Sequence, residues 1–176
     1  MASTGNDQLI NSSNDLLAGV QEIVIVKTEW NAHITDELEA GCKRILEAAG
    51  VENITVLVVP GAVEIPFAIN AYVNRAAYDA EAFIALGCII KGDTPHFEYV
   101  CQSVTQGITI LNTQLDAPVI FGVLTVNTEE QAQERIGGVH GHKGEEAAMT
   151  ALKMIALCRA LDVAGDDEEE ETGSEF

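Results

Sequence analysis

The residue in this chain best suited to move a proton is His96. It closes the segment Lys91-Gly92-Asp93-Thr94-Pro95-His96, which follows an apolar run from Ala82 to Ile90. That run has the length and residue types of a buried strand, the segment is loop chemistry, and a helical pattern begins at Phe97. Gly92 lets backbone N–H groups approach an anion, Thr94 can cap or donate, and the expected helix offers its positive end. An imidazole beside such a cradle can act as acid or base near neutral pH. The chemistry implied is a phosphate held next to a proton-transfer group. The plain alternative is a turn, an N-cap and a surface histidine.

Two other residues stand out by type. Glu64 is a carboxylate within the otherwise apolar turn Pro60-Gly61-Ala62-Val63-Glu64-Ile65-Pro66. It either complements a helix dipole or accepts hydrogen bonds from ligand hydroxyls. Trp30 is the single tryptophan, either a partly buried anchor or a flat platform for a planar ligand.

The elements that must position these residues alternate along the chain. Glu22 to Lys27 reads as a first strand, followed by the loop Thr28-Glu29-Trp30-Asn31. Asn31 is placed to cap a helix in which Ile34, Leu38, Gly41, Ile45 and Ala49 recur at helical spacing, with Gly50 to end it. Ile54 to Val59 is a second strand, and a helix should follow Pro60-Gly61 through about Arg75, with Pro66 in its first turn. After the third strand, Val100, Val104, Ile108 and Leu111 share one face of a helix reaching about Gln114. Pro118 to Val126 is a fourth strand. Thr128 to Gln131 has the spacing of a capping box for a short helix ending near Arg135. Gly137 to Gly144 reads as a flexible basic loop before a last helix, Glu145 to Leu161. Four strand–helix alternations predict a parallel sheet with helices on both faces, and right-handed crossovers leave few strand orders. The expected fold is α/β, a flavodoxin-like three-layer sandwich with a four-stranded parallel sheet in order 2-1-3-4. Trp30, Glu64, the Lys91–His96 loop and Thr125 then all fall at carboxyl ends of strands, where open α/β sheets bind ligands.

Composition narrows the class. At 176 residues the chain is one domain with room for a full core. The formal charge of −19 argues against a nucleic-acid partner. Seven acids fall in the last eleven residues, and without them 21 acids face 9 bases, a charge of −12. That block predicts a solvated tail over residues 163–176, and the polar residues 1–20 a mobile arm, leaving 21–162 as the folded domain. No apolar run approaches a membrane span and no basic-then-apolar leader is present, so a cytoplasmic protein is expected. Cys42, Cys88, Cys101 and Cys158 are scattered in apolar patterns and read as buried, reduced thiols, with no metal site among them.

Five motifs in order resemble the lumazine synthase family: Pro60–Pro66, Lys91–Val100, Phe121–Thr125, Glu130–Arg135 and His142–Gly144. The resemblance covers about residues 22–162. It implies condensation of 5-amino-6-(D-ribitylamino)uracil with 3,4-dihydroxy-2-butanone 4-phosphate to 6,7-dimethyl-8-ribityllumazine, the penultimate step of riboflavin biosynthesis, without metal or cofactor. It also implies roles. Trp30 takes the aromatic position stacked on the pyrimidine. Ala62 and Glu64 match positions holding the ribityl chain, and Ile89 and Ile90 positions whose backbone meets the pyrimidine edge. Gly92, Asp93 and Thr94 match the phosphate loop, and His96 the proton shuttle. Val63 and Lys91 join the substrate-binding set by their place in these motifs. Phe121, Arg135 and Lys143 match positions that the adjacent subunit supplies, to the pocket wall, the phosphate and the pyrimidine respectively. The implied unit is a homopentamer, which some members build into a sixty-subunit shell, with no nucleic acid or membrane as partner.

The residue types fit those roles. A planar ring wants an aromatic face, a polyol wants a carboxylate, and phosphate wants a guanidinium with backbone N–H groups. Two positions depart from the family pattern. Glu29 precedes the aromatic where arginine is common, and His142 precedes Lys143 where asparagine is usual. A carrier that only bound lumazine or riboflavin would need neither His96 nor Arg135, and a shell with no catalytic role would need none of the set. A flavodoxin-like regulator would need a carboxylate cluster after strand one, where this chain has Thr28-Glu29-Trp30.

Overall fold

Runs of β-branched and apolar residues form four strands: β1 (Glu22–Thr28), β2 (Asn53–Val59), β3 (Ala80–Ile90) and β4 (Val119–Val126). They pair in parallel in the order β2-β1-β3-β4, as the alternation of elements predicts. The computed structural model describes residues 18–75 and 80–172, of which 164–172 are described as helix backbone only. The N-terminal arm expected over 1–20 therefore lies, save its last three residues, outside the described residues.

Side chains alternate across the sheet and feed two apolar layers. On one face Ile23, Ile25, Ile84 and Leu86 pack against α1 (Ala32–Ala48) and α5 (Lys143–Thr172). On the other Val24, Val26, Phe83 and Ala85 pack against α2 (Ile65–Arg75) and α3 (His96–Leu111). Each of these Val, Ile, Leu and Phe side chains, once fully buried, contributes about 1.5–3 kcal/mol, and Ala85 less. A 3-10 turn over Ala62–Glu64 leads into α2, and a short α4 (Glu129–Gln133) follows β4. Its expected box forms in modified shape. Thr128 Oγ1 accepts from the Gln131 N–H at 3.4 Å, but Gln131 Oε1 reaches one residue further back, to the Asn127 N–H at 2.8 Å.

Several expectations change. Asn31 precedes α1 but makes no side-chain cap, because its backbone is left-handed (φ 58°, ψ 43°). Thr94 makes no cap either, since Pro95 holds that position of α3. α3 ends at Leu111 rather than Gln114; Thr113 and Gln114 donate to Ile110 and Leu111 in a tightened turn. Asn112 then pins the turn to β4, exchanging two 2.8 Å hydrogen bonds with the Val119 main chain.

The stretch from Gly137 to Gly144 is not a loose loop. It holds the antiparallel strands β5 (Ile136–Gly138) and β6 (Gly141–His142). Gly137 (φ 112°) and Gly141 (φ 76°) allow the tight reversal. Strands this short carry no readable alternation, so glycine content alone suggested mobility.

α5 passes Leu161 and continues to Thr172, into the acidic segment, with residues 173–176 outside the described residues. No proline stops it, and glutamate is a good helix former. Cys42 and Cys88 are buried, whereas Cys101 and Cys158 are only half-buried; all four are free thiols. Burial pushes the Cys42 and Cys88 thiols up to about 12 and about 11. Among the described residues no helix is long and apolar enough to cross a membrane.

Candidate active site

Above the tips of β1, β2 and β3 lies a cavity of about 510 Å³, a size suited to a small-molecule ligand. Its walls come from four segments, each fixed by main-chain bonds.

The first segment is the β1–α1 loop. Glu29 and Trp30 donate their N–H groups to the Val59 and Pro60 carbonyls at 2.8 and 3.3 Å. Thr28 Oγ1 donates to the Trp30 carbonyl at 3.1 Å, and Thr35 Oγ1 to the Thr28 carbonyl at 2.9 Å. The backbone of Trp30 is thus held from both sides while the residue remains 71% exposed. An indole this exposed is not the partly buried anchor of the plain alternative, and its base is fixed by main-chain bonds.

The second segment is the 3-10 turn, which sets Ala62, Val63 and Glu64 on the wall. Ala62 is buried, and the Glu64 N–H bonds the Gly61 carbonyl at 3.2 Å. The third is the end of β3 and the loop after it, bringing Ile89, Ile90, Gly92 and Thr94 to the cavity. The Lys91 N–H bonds the Val126 carbonyl at 2.9 Å, which extends the ladder one step beyond the strand. A Cβ placed on Gly92 would meet nothing within 4 Å, so its main chain faces open space. The fourth is the first turn of α3, with His96 at its first residue, exposed to the cavity.

Lys91 and Asp93 are exposed beside the cavity rather than in its wall. Lys91 Nζ lies 3.7 Å from the Glu98 carboxylate and 5.9 Å from the centre of the Phe97 ring. Sequence reasoning missed Asn31, Phe97 and Val100, all of which line the cavity. Val100 carried a helix-face signal but was assigned to the core. Thr125 does not line it.

Phe121, Arg135 and Lys143 are not brought to this cavity. Phe121 and Lys143 line a second one of about 530 Å³ along the outer edge of β4, between that strand and α5. Lys143 Nζ pairs with both Glu146 oxygens at 2.6 and 2.8 Å. Arg135 Nη1 donates to the Gln131 carbonyl at 2.7 Å and lies 3.9 Å from a Glu134 oxygen. Arg135 and Lys143 are joined through the main chain at the base of the β5–β6 hairpin, where the Lys143 N–H bonds the Arg135 carbonyl at 2.8 Å. Among the described residues, no group of three or more His, Cys, Asp or Glu side chains is placed to hold a metal ion.

The fold is that of a flavodoxin-like α/β enzyme, and its cavity opens at the strand tips, between an exposed tryptophan and a helix N-terminus. Residues 21–159 match the family model described as 6,7-dimethyl-8-ribityllumazine synthase. The chain is 51% identical over 139 residues to the protein of that name from Bacteroides fragilis, covering 78% of this chain and 96% of that one. Its counterpart from Porphyromonas gingivalis is 52% identical over 139 residues, covering 78% and 85%. That from Xanthomonas euvesicatoria is 42% identical over 149 residues, covering 84% and 96%. The chain belongs to the 6,7-dimethyl-8-ribityllumazine synthase family, the transferases that form this lumazine in riboflavin biosynthesis.

Proposed function

We propose that the chain joins 5-amino-6-(D-ribitylamino)uracil to 3,4-dihydroxy-2-butanone 4-phosphate at sites shared between neighbouring copies of a cytoplasmic homopentamer. The observation that carries this is the division of the site residues on one chain. The strand-tip cavity contains Trp30, Glu64, Gly92, Thr94 and His96, with Asp93 beside it. Phe121 and Lys143 line the cavity at the β4 edge, and Arg135 lies beside Lys143 on the hairpin. The strand-tip loop carries Asp93, and the first turn of α3 carries Glu98, 3.7 Å from Lys91 Nζ. A phosphate there gains from a guanidinium brought by a neighbour.

Within that site Trp30 stacks on the pyrimidine, and the Ile89 and Ile90 main chain meets its edge. Ala62, Val63 and Glu64 receive the ribityl chain, with the Glu64 carboxylate accepting from its hydroxyls. Gly92, Asp93 and Thr94 surround the phosphate with Lys91 alongside. The neighbour's Phe121 closes the wall, its Arg135 binds phosphate and its Lys143 reaches the pyrimidine. The reaction needs an amine to attack a ketone with loss of water, then loss of phosphate, then ring closure with loss of a second water. Holding two substrates in a near-attack geometry can lower a barrier by as much as roughly 7–11 kcal/mol. His96, moving protons between nitrogen and oxygen, adds a factor of roughly 10²–10⁴. The free thiols fit a reducing compartment. Residues 21–162 form the catalytic unit, with the two terminal segments outside it.

The test is complementation. His96→Ala and Arg135→Ala homomers should each be poor at low concentrations of the phosphate substrate. When the two are co-assembled in equal amounts, about one quarter of the sites in a closed ring receive both intact groups. Activity should recover to that fraction. No recovery in verified mixed assemblies would confine the site to one chain and overturn the proposal.

A further inference from the structure

β1 and β3 run side by side only as far as the Lys27–Leu86 pair, whereas β3 continues against β4 to the Ile90–Val126 pair. Peptide groups alternate in direction along a strand. The Phe83 and Lys91 N–H groups both point to the β4 side, donating to the Pro118 and Val126 carbonyls. Cys88 and Ile90 therefore turn their peptide groups the other way, to the side that β1 has left. The Cys88 carbonyl is met there by the Asn31 side-chain amide, Nδ2 to O at 2.9 Å.

Among the described residues Asn31 is the one non-glycine residue with positive φ, a conformation that asparagine tolerates better than most. Its carbonyl still accepts from the Ile34 and Thr35 N–H groups and starts α1. Its side chain makes no cap, so capping does not explain the residue. It lies next to Trp30, whose main chain is tied to the tip of β2 through Pro60. A single loop thus joins the tips of β2 and β3, with the exposed indole between its two attachments.

We infer that Asn31 is a positioning residue for the pyrimidine substrate: its amide takes the place of the absent strand at the tip of β3 and sets the Trp30 platform against the Ile89–Ile90 main chain. This rests on Trp30 being the stacking surface. Asn31 acts through that surface and through β3, not by touching the reacting atoms.

Because Trp30 is the single tryptophan, its fluorescence reports the platform directly. Asn31→Gly keeps the left-handed backbone without strain and deletes only the amide. Asn31→Asp keeps the shape but offers oxygen to a carbonyl. For Asn31→Gly the KM for 5-amino-6-(D-ribitylamino)uracil should rise about fivefold, the effect of one neutral hydrogen bond. The KM for the phosphate substrate and the kcat should stay within about twofold. The anisotropy of Trp30 should decay faster, in the substrate-free protein as well. Asn31→Asp should shift both readouts further, and it carries the test alone if the glycine variant does not assemble.

Trp30→Ala is the control. If it leaves the KM for the pyrimidine substrate unchanged, the stacking assignment fails. If it raises that KM while Asn31→Gly does not, the inference about Asn31 is overturned and the stacking assignment stands. A raised KM with unaltered Trp30 anisotropy would make Asn31 a direct ligand contact and also overturn it.

Discussion

Gly41 and His142 should be energetically coupled, although they are a hundred residues apart in sequence. Gly41 is one of the buried residues of α1. A Cβ built there would stand 2.0 Å from Cε1 and 2.4 Å from Nδ1 of the His142 imidazole. The ring therefore lies directly on the glycine and must leave if alanine replaces it. Two terms compete in Gly41→Ala. Alanine in a helix interior is favoured over glycine by about 0.8–1 kcal/mol. Overpacking costs about 1–3 kcal/mol, and the displaced ring also gives up the Glu145 N–H, which it accepts at Nδ1 over 3.4 Å. The net expectation is a loss of up to about 2 kcal/mol. In a His142→Ala background the clash is absent, and Gly41→Ala should stabilise by nearly its full propensity, about 1 kcal/mol. The coupling between the two changes is then about 1–3 kcal/mol. Urea unfolding of the four proteins at one fixed subunit concentration measures it. A Gly41→Ala variant as stable as its His142→Ala counterpart predicts, with no coupling, would refute the reasoning. Under the proposed function the contact matters as well, because the hairpin between Arg135 and Lys143 is seated on α1 through this ring.

Gly144→Ala should be worse and should not be rescued by trimming any side chain, because its Cβ would fall 2.0 Å from the Leu38 carbonyl oxygen. A loss of about 3–5 kcal/mol, or failure to assemble, is expected by denaturation and size-exclusion chromatography. Glu39→Gln should weaken the protein in a pH-dependent way. Burial alone would raise the Glu39 carboxyl, but hydrogen bonds from Lys27 and Lys43 hold it below its ordinary 4.5. Burial likewise would lower Lys27, and hydrogen bonds to Asp36 and Glu39 raise it above 10.5. The carboxylate's contribution is therefore present above pH 4.5 and lost as the pH falls through its depressed value. The ammonium's contribution is present below pH 10.5 and lost as the pH rises through its elevated one. Wild type should exceed Glu39→Gln by about 1–3 kcal/mol at pH 7, with the gap narrowing below pH 4.5 in urea titrations.

The strands were legible because each is a run of β-branched and apolar residues bounded by turn chemistry, and their alternation with helices leaves one compact parallel sheet. The gathering of Trp30, Glu64 and His96 followed from the same pattern, since each comes directly after a strand. What escaped was conformation that residue type does not dictate. Asparagine before a helix reads as a cap. Here its backbone is left-handed and its side-chain amide serves a carbonyl 57 residues away, a partner that no local window contains. The β5–β6 hairpin escaped for the opposite reason, being too short to show a period. Phe97 and Val100 were missed because the apolar face of α3 serves both the core and the cavity wall, and spacing alone does not separate them.

If Phe121, Arg135 and Lys143 serve a neighbour's cavity, as proposed, their placement favours a ring over a two-fold dimer. In a two-fold contact one patch meets its own copy, so both sets of site residues would have to border the same axis. Here the strand-tip cavity opens above β1, β2 and β3, while Phe121 and Lys143 face a cavity along the outer edge of β4. β4 is paired on one side only. Joining one copy's β4 edge to the next copy's strand tips is a head-to-tail contact, and head-to-tail contacts end either in closed rings or in open filaments. Under the proposed shared site, closure would equip every subunit with one complete site, a filament would leave an incomplete site at each end, and a lone chain would have none. If that holds, specific activity should fall on dilution in step with the loss of assembled rings seen by light scattering. Activity that persists in a purified monomer would place every needed group on one chain.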